Sequence, residues 1–276
     1  MHFNYSRATI DLETRSCCSL KKCGSWRYSL DTSTEVLCMA YRLPSWDKGR
    51  TGLWHPAFPL LGIEEPADTS DLAELFSWIL KRELIESHNF WFEKGIWKNI
   101  LVPRYGFPEI QPEQGRCSAA KAAAHSLPRK LDDAGEALDF DDDDLKDTDA
   151  SNTVLRKTMQ PRKPLKEDIR AWGVLHACCE TCKGSGKTEG INPATDRKKQ
   201  MPCKTCMGKG YRGQCGKGIP EMPVLWHESR ELFEALWAYC RQDVIAEEAL
   251  SERLLDLTPE ETSIFLMDQA VNERGF

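Results

Sequence analysis

The chain has 276 residues, 41% hydrophobic and 29% charged, enough to bury a full core as one enlarged domain or two modest ones. No apolar run is long enough to span a bilayer, and Met1-His2-Phe3-Asn4 lacks a secretory leader pattern, which argues against a membrane-spanning or secreted protein. The net charge of −6 hides an asymmetry. Ten acidic residues stand against Lys146 alone between Asp132 and Asp149, whereas Arg156 to Lys217 holds fifteen Lys and Arg against five Asp and Glu. That basic stretch suits a polyanion, or is simply a solvated surface.

In chain order, residues 8–14 alternate around Ile10 and Leu12 and predict a strand. Glu35 to Tyr41 predicts a second strand and Thr51 to Trp54 a short third. Ser70-Asp71 caps a predicted helix carrying Leu72, Leu75, Phe76, Ile79 and Leu80. Leu84 to Ser87 reads as a strand delivering His88 and Asn89 to its carboxyl end. A helix is predicted from Glu93 to Leu101, stopped before Pro103, with short helices at Ser118–His125 and Leu131–Leu138. The acidic run Asp139–Asp149 reads as a mobile loop. Residues 163–223 turn to Gly, Lys and Cys with little periodicity and read as an inserted module between a first part, 1–162, and a C-terminal part, 224–276. A long helix, Ser229 to Leu255, and a last one, Pro259 to Val271, close the chain. Strands alternating with helices predict an α/β layer fold.

The candidate chemistry lies in scattered acids. Residues i and i+2 of a strand share a face, so Asp11 and Glu13 project together while Ile10 and Leu12 face the other layer. Residues i and i+4 of a helix are neighbours, so Tyr239 and Asp243 can face one cleft. Glu93 would arrive from a third direction. Carboxylates converging in this way suit hard cations such as Mg²⁺ or Mn²⁺, and a metal pair can both activate water and absorb charge during phosphodiester hydrolysis.

Twelve cysteines without a leader favour metal binding over a disulfide scaffold. Cys179-Glu180-Thr181-Cys182-Lys183-Gly184-Ser185-Gly186 and Cys203-Lys204-Thr205-Cys206-Met207-Gly208-Lys209-Gly210 repeat CxxCxGxG. Two such knuckles suit one tetrahedral Zn²⁺ on Cys179, Cys182, Cys203 and Cys206, a structural site. Cys178 and His176 are nearby substitutes for Cys179, and Cys215 lacks a CxxC partner. The repeat resembles the zinc region of J-type chaperones, but no His-Pro-Asp hairpin accompanies it. Lys183 to Thr188 mimics a phosphate loop, yet the required earlier Gly falls on Thr181.

Asp11-Leu12-Glu13, Asn89-Phe90-Trp91-Phe92-Glu93 and Tyr239-Cys240-Arg241-Gln242-Asp243 resemble, in this order, the three motifs of the DEDD 3′-5′ exonucleases, in the subtype ending in Tyr-x-x-x-Asp. The resemblance implies an RNase H-like (DnaQ-like) α/β fold, a mixed central sheet flanked by helices, here with a small zinc-ribbon insertion. It implies that Asp11 and Asp243 hold the metal that activates water, that Glu13 ligates or polarises, that Glu93 serves a second metal and that Tyr239 orients the water. Asn89 occupies the second motif's Asn position and, with Thr14 and Trp91, is a substrate-binding candidate. The second motif usually ends in Asp, whereas here it ends in Glu93.

Leu20-Lys21-Lys22-Cys23-Gly24, Leu101-Val102-Pro103-Arg104-Tyr105-Gly106, Arg116-Cys117-Ser118-Ala119-Ala120 and Gln160-Pro161-Arg162-Lys163-Pro164 look like the proofreading domain of phage-type family A DNA polymerases. A Glu ending the second motif is familiar there. The resemblance covers nearly all of 8–170 and 225–276. Met267 to Phe276 resembles the segment joining exonuclease to polymerase, which implies an excised domain or a separate exonuclease chain. The expected activity is metal-dependent 3′-5′ exonuclease on single-stranded DNA or DNA 3′ ends, proofreading for a polymerase partner in the cytoplasm of a phage-infected bacterial cell. The rivals are an exoribonuclease of the same superfamily and a weakly catalytic or non-catalytic module that tethers DNA or a polymerase through the basic zinc ribbon.

Overall fold

The nine residues Arg7–Arg15 form the central strand, β1, of a five-stranded mixed sheet. In this computed structural model, residues 5–67, 70–140, 157–191, 197–215 and 218–274 are described. The sheet runs β3-β2-β1-β4-β5, with β2 (Glu35–Arg42), β3 (Gly52–Trp54), β4 (Leu84–Ser87) and β5 (Gly115–Cys117). β2 is antiparallel to β1 and β3, whereas β4 is parallel to β1 and β5.

Alternation along β1 sorts its side chains into two layers. Ala8, Ile10 and Leu12 join a core with Leu75 and Ile79 of α2 (Ser70–Leu80), Phe90 and Ile96 of α3 (Phe90–Ile96), and Trp97. Full burial of such a side chain contributes about 1.5–3 kcal/mol. On the opposite face, Leu37 and Ala40 of β2 meet Phe233, Leu236, Cys240 and Val244. Those four form one stripe of α8 (Arg230–Arg253), whose N-terminus is capped by Ser229 accepting from the Leu232 N–H at 3.3 Å. The acids of β1 therefore point into the layer that holds α8. A register shift between Glu13 and Thr14 bends the strand just beyond them.

Three segments depart from the sequence reading. A helix unforeseen there, α1 (Leu20–Leu30), breaks at Gly24 in the left-handed region, φ 76°. The helix expected to stop before Pro103 starts at Phe90 and passes through a π-turn, Trp97–Leu101, into α4 (Val102–Tyr105). Pro103 sits in the first turn of α4, where its missing N–H costs nothing. The supposedly aperiodic module contains α7 (Lys166–Ala177). The helices α5 (Ser118–Ala124), α6 (Leu131–Ala137) and α9 (Pro259–Arg274) lie where the pattern put them, α9 running three residues further. Beyond Phe140 the acidic run Asp139–Asp149 lies outside the described residues.

A charge network ties the sheet to its helical layer. The Arg7 guanidinium donates to Glu86 at 3.1 Å, and Lys121 of α5 lies 2.8 Å from Asp256 and donates to the Ser251 carbonyl at 2.7 Å. Lys121 is 2% exposed, so its charge survives burial only through these partners. Burial pushes the Asp256 carboxyl up, but hydrogen bonds from Lys121, the Tyr5 N–H and Arg7 outweigh it and hold the group below its ordinary value. A lowered folded value means that ionised Asp256 stabilises the fold above about pH 4 and that this support fades as pH falls further. Asp256→Asn is expected to cost about 3–5 kcal/mol in urea unfolding at pH 7. The variant should also lose part of the acid sensitivity of the wild-type midpoint. An unchanged midpoint at pH 7 would show the network to be energetically idle.

Pro161–Trp226 forms a compact unit of its own, and Met1–Gln160 with His227–Phe276 forms another; the span expected from composition was 163–223. Within Pro161–Trp226, an antiparallel hairpin joins β6 (Lys187–Ile191) to β7 (Lys198–Pro202), and β8 (Gln214–Cys215) pairs with β9 (Gly218–Ile219). Helix α7 seats Gly173 against the ring of Tyr211, where any Cβ would lie 2.5 Å from the ring carbon Cγ.

Candidate metal centres

Carboxylate oxygens of Asp11, Glu13 and Asp243 all lie within 4.8 Å of one another. Trans ligands of a cation with bonds of about 2.1 Å sit about 4.2 Å apart, so the trio fits a small hard cation with minor side-chain adjustment. β1 supplies Asp11 and Glu13 on one face, and α8 supplies Asp243 one turn beyond Tyr239. The Cys240 thiol donates to Asp11 Oδ2 at 3.2 Å and helps fix that carboxylate. Burial, then Asp243 and Glu13, push the Tyr239 phenol far above its ordinary value, so it keeps its proton and donates to Asp243.

Glu93 and the substrate candidates are placed differently. Glu93 lies buried in the first turn of α3, accepting from Ser87 Oγ at 3.2 Å. Burial first, and Asp11 second, raise its carboxyl well above the ordinary range. It is not part of the close trio. Asn89 adopts the left-handed conformation, φ 73° and ψ 51°, which Asn tolerates better than other residues with a Cβ. It borders a cleft of ≈ 440 Å³ that also reaches Asp11 and Asp243. Asn89 and Arg129 further edge a neighbouring hollow lined by Trp91, Phe265 and Gln269. Trp91 stacks on Trp26 with ring centroids 5.3 Å apart. Thr14 is fully buried, its hydroxyl 2.9 Å from that of Tyr28, so its side chain does not open onto the cleft.

One acid escaped the sequence reading. Glu247, a further turn along α8 on the stripe of Tyr239 and Asp243, lines the cleft with Asp11 and Asp243 and is 1% exposed. Burial, then Glu86, Asp11 and Glu93, raise its carboxyl well above the ordinary range. In sequence it sits in Ala246-Glu247-Glu248-Ala249 and reads as a solvated helix face. Its four-residue step from Asp243 was the available signal.

In the cysteine unit, the thiols of Cys179, Cys182, Cys203 and Cys206 form the second cluster, buried together. Cys179 Sγ lies 4.0 Å from Cys203 Sγ, and Cys182 Sγ 3.7 Å from Cys206 Sγ. A tetrahedron with Zn–S bonds of about 2.3 Å has edges of about 3.8 Å, so the four sulfurs match such a cage. The Gly186 and Gly210 N–H groups donate to Cys182 Sγ and Cys206 Sγ at 3.3 and 3.2 Å. Cys178 is exposed and stands outside the cluster, as does His176.

No protein-family model matches the chain. Over 277 aligned residues, covering 97% of this chain, it is 24% identical to a DNA polymerase of Bacillus phage SP02. The chain spans 31% of that polymerase's length. It is therefore distantly similar to part of a phage DNA polymerase, with a mixed five-stranded sheet in an α/β fold, and an acidic trio and a buried set of four cysteines that could each hold a metal.

Proposed function

We propose that the chain is a divalent-metal-dependent 3′-5′ exonuclease acting on DNA 3′ ends, of RNase H-like fold, and that it proofreads for a family A DNA polymerase. The observation that carries this reading is the meeting of Asp11, Glu13 and Asp243, drawn from opposite ends of the chain, within 4.8 Å. The strand order β3-β2-β1-β4-β5 with β2 reversed is the arrangement expected of that fold, and the similarity to a phage polymerase favours DNA as substrate.

Bound Mg²⁺ or Mn²⁺ would supply an activated water and charge neutralisation at the phosphate. Asp11, Glu13 and Asp243 would hold the cation, Cys240 steadies Asp11, and Glu93 accepts a hydrogen bond from Ser87. The protonated Tyr239 hydroxyl, fixed by Asp243, can orient the water without competing for the metal. In this reading Asn89 and Arg129, which line both hollows, receive the sugar-phosphate chain, and Trp91, stacked on Trp26, borders one of them. Zn²⁺ on the four cysteines is structural in this reading, and the exposed Lys187, Lys198 and Lys199 of the β6–β7 hairpin grip phosphates.

Digestion of an end-labelled primer with a 3′ mismatch, in Mg²⁺ and in Mn²⁺, tests the reading. Stepwise loss of 3′ nucleotides is expected, faster on DNA than on matched RNA. Binding of the primer without any release in either metal would replace the nuclease by a tethering module, the alternative favoured by the basic hairpin.

A further inference from the structure

Outside the acidic cleft and the cysteine unit, two further thiols meet at the start of α1. Ser19 is the N-cap of that helix, so Cys18 precedes the cap and Cys23 is the fourth residue of the helix. Side chains at these two positions commonly pack on each other and fix how the chain enters a helix, a contact usually made by apolar groups. Here sulfurs make it. The Cys18 thiol donates to Cys23 Sγ at 2.7 Å, well inside the 3.7 and 4.0 Å between sulfurs of the four-cysteine cluster. A disulfide holds its sulfurs about 2.0 Å apart, so each has only a fraction of an ångström to move to close one. Both side chains are half-buried, whereas Cys38, Cys117 and Cys240 are buried, so a small oxidant reaches the first pair more readily. Gly24 breaks the helix directly after Cys23, which lets the first turn adjust to a new bond without shifting Trp26 and Tyr28.

We propose that Cys18 and Cys23 are a thiol-oxidation site, closed to a reversible disulfide by hydrogen peroxide. Cys18 keeps its proton, pushed up to about 11 by the hydrogen bond to Cys23 first and by burial second, so the first attack falls to Cys23. Its sulfur bonds to one peroxide oxygen, the O–O bond breaks, and the departing hydroxide leaves as water with the Cys23 proton. The Cys18 sulfur then displaces the hydroxyl now on Cys23, which leaves as a second water with the Cys18 proton. Two thiols are oxidised to one disulfide and one hydrogen peroxide is reduced to two waters. A dithiol reductant reverses the link by exchange. The site is independent of the nuclease reading.

Lys21 and Lys22 lie between the two cysteines, so trypsin parts them into different peptides unless a disulfide joins them. The full, zinc-loaded chain is treated with rising doses of hydrogen peroxide until other thiols react, capped with iodoacetamide in urea and digested without reductant. Peptides 16–21 and 23–27 are expected as a linked pair, two hydrogens lighter than their sum, at doses that leave Cys38, Cys117 and Cys240 fully capped. Dithiothreitol should part them. Cys17→Ser should keep the link, whereas Cys18→Ser should lose it and leave Cys23 as a sulfenic acid that dimedone captures. Capped Cys18 and Cys23 in a wild-type chain whose other thiols are already oxidised would overturn the proposal, as would a link that Cys17→Ser abolishes. If a Ser variant fails to fold, fragmentation of the linked wild-type peptides decides between Cys17 and Cys18 on its own.

Discussion

Asp11→Ala and Asp243→Ala are each expected to slow metal-dependent release of 3′ nucleotides by at least about 100-fold, the upper end of what losing even an outer partner of a metal ligand costs. Each substitution removes one of three carboxylates gathered within 4.8 Å of one another, leaving a pair that would hold a cation more loosely. Structural damage should be small. Asp11 sits in the middle of β1, its backbone paired opposite Ala40, and Ala at that position keeps every ladder hydrogen bond. Asp243 lies in the interior of a 24-residue helix, where Ala is the most favourable residue. Single-turnover digestion of a labelled primer, beside circular dichroism of each variant, provides the check. Full activity in either variant with an unchanged spectrum would remove the acidic trio from the chemistry. Tyr239→Phe should cost less, because it removes an orienting hydroxyl and leaves every metal donor in place.

Removing the metal from the cysteine unit is expected to unfold residues 161–226 outright. Among the described residues, the buried cluster of that unit consists of the four cysteines themselves, and both strands of its main hairpin are largely exposed. So small an apolar core cannot offset the entropy of ordering the segment. A metal on the four thiols would supply the difference: structural Zn²⁺ sites provide about 10–16 kcal/mol of apparent binding energy at pH 7. Elemental analysis should find one zinc per chain. A strong chelator, or Cys182→Ser, should then make 161–226 the first site of proteolytic cutting. Resistance of the stripped chain to protease would mean that the four thiols are held by packing rather than by a metal.

The parts legible in the sequence were those governed by short periodicities. Two-residue spacing put Asp11 and Glu13 on one face of β1, four-residue spacing aligned Tyr239 with Asp243, and the matched CxxCxGxG repeats marked the cysteines that come together. What escaped notice depends on context that local pattern does not carry. Helix α1 is broken by Gly24 and shows no continuous apolar stripe. The π-turn at Trp97–Leu101 lets a helical path continue through Pro103, contrary to the usual reading of proline as a stop. Helix α7 packs through Gly173, a residue that sequence reading takes for a helix breaker. Glu247 drew no notice because a Glu-Glu pair in a long helix is nearly always solvated; only the packing of α8 against the sheet buries it. The Lys121–Asp256 contact joins residues too distant in sequence for any periodicity to reveal.

The cysteine knuckles also lock each other. The Cys203 N–H donates to the Gly186 carbonyl at 2.9 Å, and the Cys179 N–H donates to the Gly210 carbonyl at 3.0 Å, so each arm is closed by the other's glycine. Neither half is a self-sufficient fold. A change that displaces a glycine in one arm is felt at a cysteine in its twin, and the two halves are free to drift only as a matched set.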